Sequence, residues 1–217
     1  MSGPIDDKQE FAALVLRLRL AGVNDQPLMS AAAKTPRSQF TPPLYLEASY
    51  SSRTIPIDCG ESMEGADLSL HMLHHLDLQP GQRALDVGTG SGFSAAVMSR
   101  IVNRVVTIDR YRTLAEQAAQ RFKKLAISNI VVHVGDGQAL TLEDGTFDRI
   151  LVTAAFDETP RTFADRLVSG GKMIASIGAP EGEQMLVRLT KIGSRFERED
   201  LFPVRFQHII GGTALAL

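Results

Sequence analysis

The run Leu85-Asp86-Val87-Gly88-Thr89-Gly90-Ser91-Gly92-Phe93 puts three glycines at alternate positions between the apolar segment Arg83 to Val87 and an amphipathic stretch. Few architectures accept that order. A short apolar run reads as a buried strand, the glycines permit a tight turn made of backbone alone, and the amphipathic stretch begins a helix. Such a turn brings main-chain N–H groups and the positive end of the helix close to an anion or a sugar. Asp109 stands roughly 20 residues beyond Gly88, where an acid can accept hydrogen bonds from ribose hydroxyls. It closes a second apolar run, Val105-Val106-Thr107-Ile108. The two features together imply a bound nucleoside cofactor.

The glycine spacing narrows the choice. A dinucleotide fingerprint has its third glycine one residue later than Gly92, and Phe93 fills that slot. Asp86, just before the turn, would repel a pyrophosphate. A cofactor with a positive centre and no phosphate tolerates it. S-adenosyl-L-methionine, with its sulfonium and ammonium, meets that description, and Asp-x-Gly-x-Gly-x-Gly followed by a strand-end acid resembles the first motifs of the class I methyltransferases. The expected cofactor contacts are Asp86, Gly88, Thr89, Gly90, Gly92, Asp109, Arg110, Asp136 and Gly137. Asp86 faces the methionine ammonium or its water shell, Asp109 holds the ribose, and Asp136 with Gly137 sits at the adenine.

Alternation along the chain sets the fold class. Strand candidates lie at 83–87, 104–108, 130–134, 148–153, 171–177, 184–190 and 204–210, with helix candidates at 92–102, 111–126 and 158–168. In the second helix Leu114, Ala115, Ala118, Phe122 and Leu125 form one apolar stripe. This pattern predicts an α/β, Rossmann-like, doubly wound and mostly parallel seven-stranded sheet with helices on both faces. Segments 184–190 and 204–210, with only Gly193-Ser194 and a charged stretch between them, read as an antiparallel pair at the sheet edge. Residues 1–80 read as an N-terminal helical cap and substrate loop. They hold a helix that ends at Gly22, a short helix from Pro27 to Lys34, a proline-rich irregular stretch and a third helix from Ala66 to Leu78. Residues 81–217 form the cofactor-binding core, one compact unit.

Composition excludes several classes. A net charge of −2 offers no general attraction to nucleic acid or to an anionic membrane. No apolar run approaches the ~20 residues that span a bilayer, and the polar, acidic stretch Met1 to Glu10 does not read as a secretory signal. A single cysteine, Cys59, forbids an intrachain disulfide and reads as a spectator thiol. The expectation is a cytoplasmic monomer. His71, His74 and His75 share the third helix, but no His-Glu-x-x-His pattern or nearby cysteine accompanies them, and no metal is expected.

The chain resembles the protein-L-isoaspartate (D-aspartate) O-methyltransferase family over nearly its whole length. Similar parts are Arg19 to Asp25, Pro36 to Pro42, Tyr50 with Pro56 and Ile57, the glycine turn, Asp109, Gly135-Asp136-Gly137, Thr153-Ala154-Ala155 with Pro160, Gly170-Gly171, Gln184-Met185-Leu186 and Val204-Arg205-Phe206. The resemblance implies methyl transfer from S-adenosyl-L-methionine to the free α-carboxylate of isoaspartyl residues in damaged proteins or peptides, with S-adenosyl-L-homocysteine as product. It implies that Ser62 and Glu64 lie near the transferring methyl. It further implies that Met63, Val204, Arg205 and Phe206 border the peptide groove.

One segment departs from the family. Where the family has Gly-Gln-Thr-Ile-Ser-Gln-Pro, this chain has Gly60-Glu61-Ser62-Met63-Glu64-Gly65-Ala66, and Gln207-His208 replaces Val-Pro. An ionised Glu64 facing the acceptor would repel its carboxylate by ~4 kcal/mol at about 4 Å and an effective dielectric near 20, a factor of several hundred. Alternatives stay open on this ground: a same-fold methyltransferase for another acceptor, or a non-enzymatic cofactor-binding module. Glu64 turned to solvent would remove the difficulty.

Overall fold

The computed structural model describes residues 6–140 and 145–214. Helix α1 (Asp7–Leu20) is capped by Asp6, whose carboxylate accepts from the backbone of Lys8 and Gln9, and it buries Leu14 and Leu18. Helix α2 (Gln26–Ala33) starts at the Asp25 cap with Pro27 in its first turn, the position where a missing N–H is harmless. Two short strands, β1 (Ile55–Pro56) and β2 (Ser62–Met63), pair antiparallel and hold the loop between them. Helix α3 (Ala66–Leu76) follows and ends in a left-handed Asp77. The Asp77 carboxylate binds Lys172 Nζ at 2.7 Å, and its carbonyl accepts from Arg149 Nε, tying α3 to the sheet.

The core elements are β3 (Arg83–Val87), α4 (Phe93–Ser99), β4 (Arg104–Asp109), α5 (Arg112–Lys124), β5 (Ile130–Val134), β6 (Phe147–Phe156), β7 (Leu167–Ile177), β8 (Gln184–Ile192) and β9 (Arg195–Val204). They form one seven-stranded sheet in the order β5-β4-β3-β6-β7-β8-β9. The strands from β5 to β7 are parallel, and β8 and β9 add antiparallel at one edge. After β3 the chain builds outward to β4 and β5, then returns to lay β6 on the other side. The switch point therefore lies between β3 and β6, where open α/β sheets bind ligands.

Burial splits across the sheet. Ala84, Val105, Leu151, Ile174 and Leu186 share a cluster with buried residues from all five helices, so the helical cap and the sheet have one continuous core. Leu85, Val87, Val106, Ile150 and Val152 pack in a second cluster on the opposite face.

Three expectations need correction. Residues 158–168 do not form an α-helix. Pro160 leads into a short 3₁₀ segment, Arg161–Arg166, and Leu167 is already in β7. The second face is thus covered by this segment, with Phe163 at its centre, and by loops; among the described residues no α-helix contributes to that cluster. The strand expected at 171–177 starts earlier, at Leu167, and Gly170-Gly171 lies inside it. Phe147 pairs with Leu167 but Arg149 with Lys172, so β7 makes an irregular detour there, and Gly170 takes φ +76°. Lastly, the edge strand is 195–204 rather than 204–210. Gly193-Ser194 is a two-residue hairpin that pairs Ile192 with Arg195. The charged stretch Arg195 to Asp200 is the strand itself, because a solvated edge strand tolerates charge and uses it to discourage edge-to-edge pairing.

Gly92 shows how closely the glycine turn packs. Its φ is +88°, and a Cβ there would lie 2.9 Å from two carbons of the Phe122 ring and 3.1 Å from the Ala118 methyl. Replacing Gly92 with Ala combines left-handed strain with a clash against α5, and is expected to destabilise the protein by about 1–3 kcal/mol. Urea unfolding checks this: the midpoint falls with an unchanged slope.

Candidate active site

A cleft open to solvent lies at the switch point. Its floor is the glycine turn. The amides of Gly88 and Thr89 donate to Ile108 O at 2.9 and 3.3 Å, which hangs the turn from the end of β4. Gly88 has φ +94°, and a Cβ there would sit 2.5 Å from Thr153 Oγ1. That hydroxyl donates to the Val87 and Gly88 carbonyls. Backbone at this point is therefore the only surface that fits between β3 and β6.

Asp109 joins the turn to the next strand. Its Oδ2 accepts from Gly90 N and its Oδ1 from Tyr111 N, both at 2.9 Å. Burial pushes its carboxyl above the ordinary range, against the opposing effect of those two N–H donors and the Arg110 charge. Glu61 lines the same part of the cleft and is also raised, first by burial and then by Asp109.

Asp86 lies beneath the turn and is not part of the cleft wall. It is 1% exposed. Its Oδ2 accepts from Thr107 Oγ1 at 2.8 Å, Thr107 and Thr89 share a hydroxyl contact of 2.6 Å, and Oδ1 has no hydrogen-bond partner among the described residues. Burial raises its carboxyl to about 8, with Asp109 and Glu64 adding to the effect and Thr107 opposing it. Gly92 is likewise outside the wall, held against α5.

Gly137 follows β5 at a point where a Cβ would come within 2.3 Å of Val87 Cγ1. The neighbouring Asp136 lines the cleft and is braced twice: Oδ1 accepts from Gln138 N at 2.8 Å and Oδ2 from Gly212 N at 2.7 Å. The second bond belongs to the segment that follows β9. Gln207, His208, Ile209 and Ile210 line the cleft. They are held by Ala155, whose N–H donates to Gln207 O and whose carbonyl accepts from Ile209 N, each at 2.9 Å.

The opposite wall comes from the cap. Ser62, Met63 and Glu64 line it together with Arg37, Ser69 and Phe93. Arg37 is 1% exposed. Its guanidinium stacks 4.3 Å from the Phe93 ring centroid, donates to Ser69 Oγ at 3.2 Å and to the Glu64 carbonyl, and leaves Nε without a partner among the described residues. Burial lowers its pKa to about 10.

Of the residues singled out from sequence, the cleft brings together Ser62, Met63, Glu64, Gly88, Thr89, Gly90, Asp109, Arg110, Asp136 and Gly137. Val204, Arg205 and Phe206 are not in its wall. Val204 ends β9 opposite Gln184, and the Phe206 main chain is clamped by the Gln184 amide, donating to Oε1 at 2.6 Å and accepting from Nε2 at 3.0 Å. Sequence reasoning missed Arg37 and the 207–210 segment. Arg37 lies within the Pro36 to Pro42 stretch that carried part of the family resemblance, which was the signal available. His71, His74 and His75 sit on α3 away from the cleft, and among the described residues no group of three or more His, Cys, Asp or Glu could hold a metal ion.

The Asp86 environment has a consequence for stability. A carboxyl with an ordinary value of 3.8 that reaches about 8 when folded stays protonated in the native state while the unfolded chain ionises. Its contribution therefore weakens folding as pH rises from about 4 to 8 and is constant above that. Asp86→Asn is expected to remove that dependence, worth several kcal/mol at one pKa unit per 1.36 kcal/mol. Thermal unfolding at pH 5 and pH 9 tests it: the wild type loses more stability between the two than the variant does.

Residues 9–214 match the family model described as protein-L-isoaspartate(D-aspartate) O-methyltransferase (PCMT). A protein-L-isoaspartate O-methyltransferase of Rhizobium meliloti is 50% identical over 201 residues, 93% of this chain and 98% of its own length. One from Parvibaculum lavamentivorans is 38% identical over 96% of this chain and 95% of its own. A solved protein-L-isoaspartate O-methyltransferase superposes with TM-score 0.81 at 26% identity, covering 95% of this chain and 66% of that one. A Plasmodium falciparum candidate methyltransferase of the same description, in complex with S-adenosyl-L-homocysteine, shares the fold at TM-score 0.80 and 24% identity over 91% of this chain and 97% of its own. With its parallel sheet, glycine turn and strand-end acid in place, the chain belongs to the protein-L-isoaspartate (D-aspartate) O-methyltransferase family.

Proposed function

We infer that this protein transfers a methyl group from S-adenosyl-L-methionine to the free carboxylate of L-isoaspartyl (D-aspartyl) residues in damaged proteins, as a cytoplasmic monomer. One observation carries the cofactor reading. Asp86, Asp109, Glu61 and Glu64 lie in or under one cleft, and each is held above its ordinary carboxyl range, with burial as the leading cause. Such a set is relieved by a cation and opposed to a phosphate. The turn at Gly88 and Gly90, at φ +94° and +50°, has no side chain to obstruct a nucleoside.

The residues divide accordingly. Asp109 retains free lone pairs for ribose hydroxyls beyond its two backbone donors. Asp136 and Gly137 stand at the adenine end, and Gly88, Thr89 and Gly90 shape the middle. Asp86 lies below the turn without touching the cofactor, and a cation above it favours its ionised form. When bound, the cofactor supplies an electrophilic methyl on a sulfonium and leaves as a neutral thioether. The chain has no proton to remove, because an α-carboxylate is ionised at neutral pH. Its task is to align the acceptor and keep water out, and alignment of this kind is worth up to ~7–11 kcal/mol. Ser62 and Glu64 are placed to touch the acceptor carboxylate, and Met63, buried in the wall, gives that end its apolar surface. Val204, Arg205 and Phe206 flank the segment 207–210 and set its path, so they influence the peptide from behind the wall.

Labelled S-adenosyl-L-methionine with an isoaspartyl peptide and its aspartyl counterpart tests the reading. The expected result is base-labile label on the isoaspartyl peptide alone. Cofactor binding with no label on it would overturn the assignment. For the cofactor site, Asp109→Asn is expected to weaken S-adenosyl-L-homocysteine binding about 10- to 100-fold, the size of a lost charge-assisted hydrogen bond, with far-ultraviolet circular dichroism unchanged. Calorimetric titration measures it.

A further inference from the structure

An isoaspartyl carboxylate entering this cleft meets a carboxyl group. Glu64 is half-buried in the wall, and the ion pairs among the described residues do not include it. Its main chain is fixed, since the carbonyl accepts from the buried Arg37 guanidinium and the next residue packs against backbone: a Cβ on Gly65 would lie 2.2 Å from Ser52 O. Glu64 is therefore held in the wall by its neighbours on both sides.

Two anions side by side would weaken acceptor binding by several hundred-fold to a thousandfold at about 4 Å. Taking up one proton at pH 7 costs a factor of about 300 for a glutamate at its ordinary 4.5. Each unit of upward shift reduces that penalty tenfold. Burial pushes Glu64 upward. The bond its carboxylate accepts from its own main-chain N–H opposes burial first and the Arg37 charge second, while Glu61 supports it. From β3, Asp86 lies close enough for Glu64 to raise its own carboxyl. Asp109, Arg110, Tyr111, Asp136 and His208 are the other titratable or charged side chains of the cleft wall. The balance favours a proton over a like-charge contact.

Resting on the function proposed above, we propose that the acceptor carboxylate and a proton enter together: Glu64 takes the proton from solvent and donates its O–H to the acceptor, while Arg37 stays charged and holds the segment in place as a positioning residue. The proton takes no part in methyl transfer. The carboxylate oxygen forms the bond to the methyl carbon, the sulfur keeps the electron pair of the bond that breaks, and the product ester is neutral. With the second charge gone, Glu64 returns its proton to solvent as the ester leaves. A glutamate at this position thereby makes acceptor affinity fall with rising pH.

Calorimetric titration of an isoaspartyl peptide into the protein saturated with S-adenosyl-L-homocysteine, at pH 7 in buffers of different ionisation enthalpy, reads the proton directly. The wild type is expected to take up close to one proton per peptide. Glu64→Gln, which keeps an N–H donor and cannot titrate, is expected to bind with none. Between pH 6 and 8 the wild-type Kd should rise by up to ~10-fold per unit, while that of the variant stays flat. Absence of proton uptake by the wild type overturns the proposal. So does uptake that persists in Glu64→Gln, which would place the proton on another group, and so does loss of peptide binding in that variant with S-adenosyl-L-homocysteine binding intact. A wild type that binds S-adenosyl-L-homocysteine but no isoaspartyl peptide refutes the proposed function itself, and this inference falls with it.

Discussion

The carboxylate of Asp109 is the joint on which the cleft depends. One oxygen holds Gly90 N and the other holds Tyr111 N, so the turn after β3 and the start of α5 are fixed to a single group at the end of β4. The turn has no side chains with which to hold itself, and its left-handed glycines would otherwise be free to sample many conformations. Two layers restrain it: Asp109 above, and the Asp86–Thr107–Thr89 hydroxyl and carboxylate chain below. The lower layer is fully buried, where hydrogen bonds are electrostatically strong and an unpaired atom such as Asp86 Oδ1 is expensive. A positive ligand above it compensates what the protein alone leaves uncompensated.

The acceptor wall is held by a different network, reaching it from the far end of the cap. Asp7, at the start of α1, accepts from Tyr50 Oη and from Ser38 Oγ, both at 2.7 Å. Tyr50 Oη in turn accepts from Arg37 N at 3.0 Å, and burial with the Asp7 bond pushes its phenol well above the ordinary range. Arg17 grips Asp67 with two nitrogens and the Tyr50 carbonyl with one of them. Arg37 thus reaches the cleft already fixed at its main chain, its ring contact with Phe93 and its bonds to Ser69 and Glu64. Removing one partner of such a buried charge costs far more than the contact itself contributes.

The order of elements was legible because it rests on periodicity and on glycine. The strand–turn–helix at Gly88 to Gly92, the apolar stripe of α5 and the antiparallel edge all follow from local pattern. The errors have one physical source: elements whose sequence serves two environments at once. In 158–168 the apolar residues Phe163 and Leu167 fit a helical stripe, yet Phe163 plugs the sheet face from a 3₁₀ turn and Leu167 already pairs in β7. In 195–204 charge reads as loop, whereas an edge strand wants it. The site was legible where backbone makes it and obscure where distant side chains do. Asp86 has the spacing of a ligand-facing acid, and only the packing of Thr89 and Thr107 over it puts it under the floor. Arg37 has no local pattern at all, since Phe93, Ser69 and Glu64 converge on it from other elements.

The cleft is therefore two halves built by different means. The cofactor half is made of main chain and of acids already engaged by main chain, so it depends on glycine positions more than on side-chain identity. The segment after Ile210 is held in the same way. Asp136 accepts from Gln138 N and Gly212 N, one on each oxygen, and Arg110 exchanges hydrogen bonds with Gly212 O and Ala214 N. Each Asp136 oxygen keeps a lone pair beyond the main-chain bond it accepts. The cap half consists of side chains on β2 and just after it, braced by Arg37. A change of residue there alters charge in the wall without moving the glycine turn. Glu64 is such a position: its side chain can differ while the Arg37–carbonyl brace stays in place, because that brace uses its backbone, and here it puts a titratable group in the cleft wall.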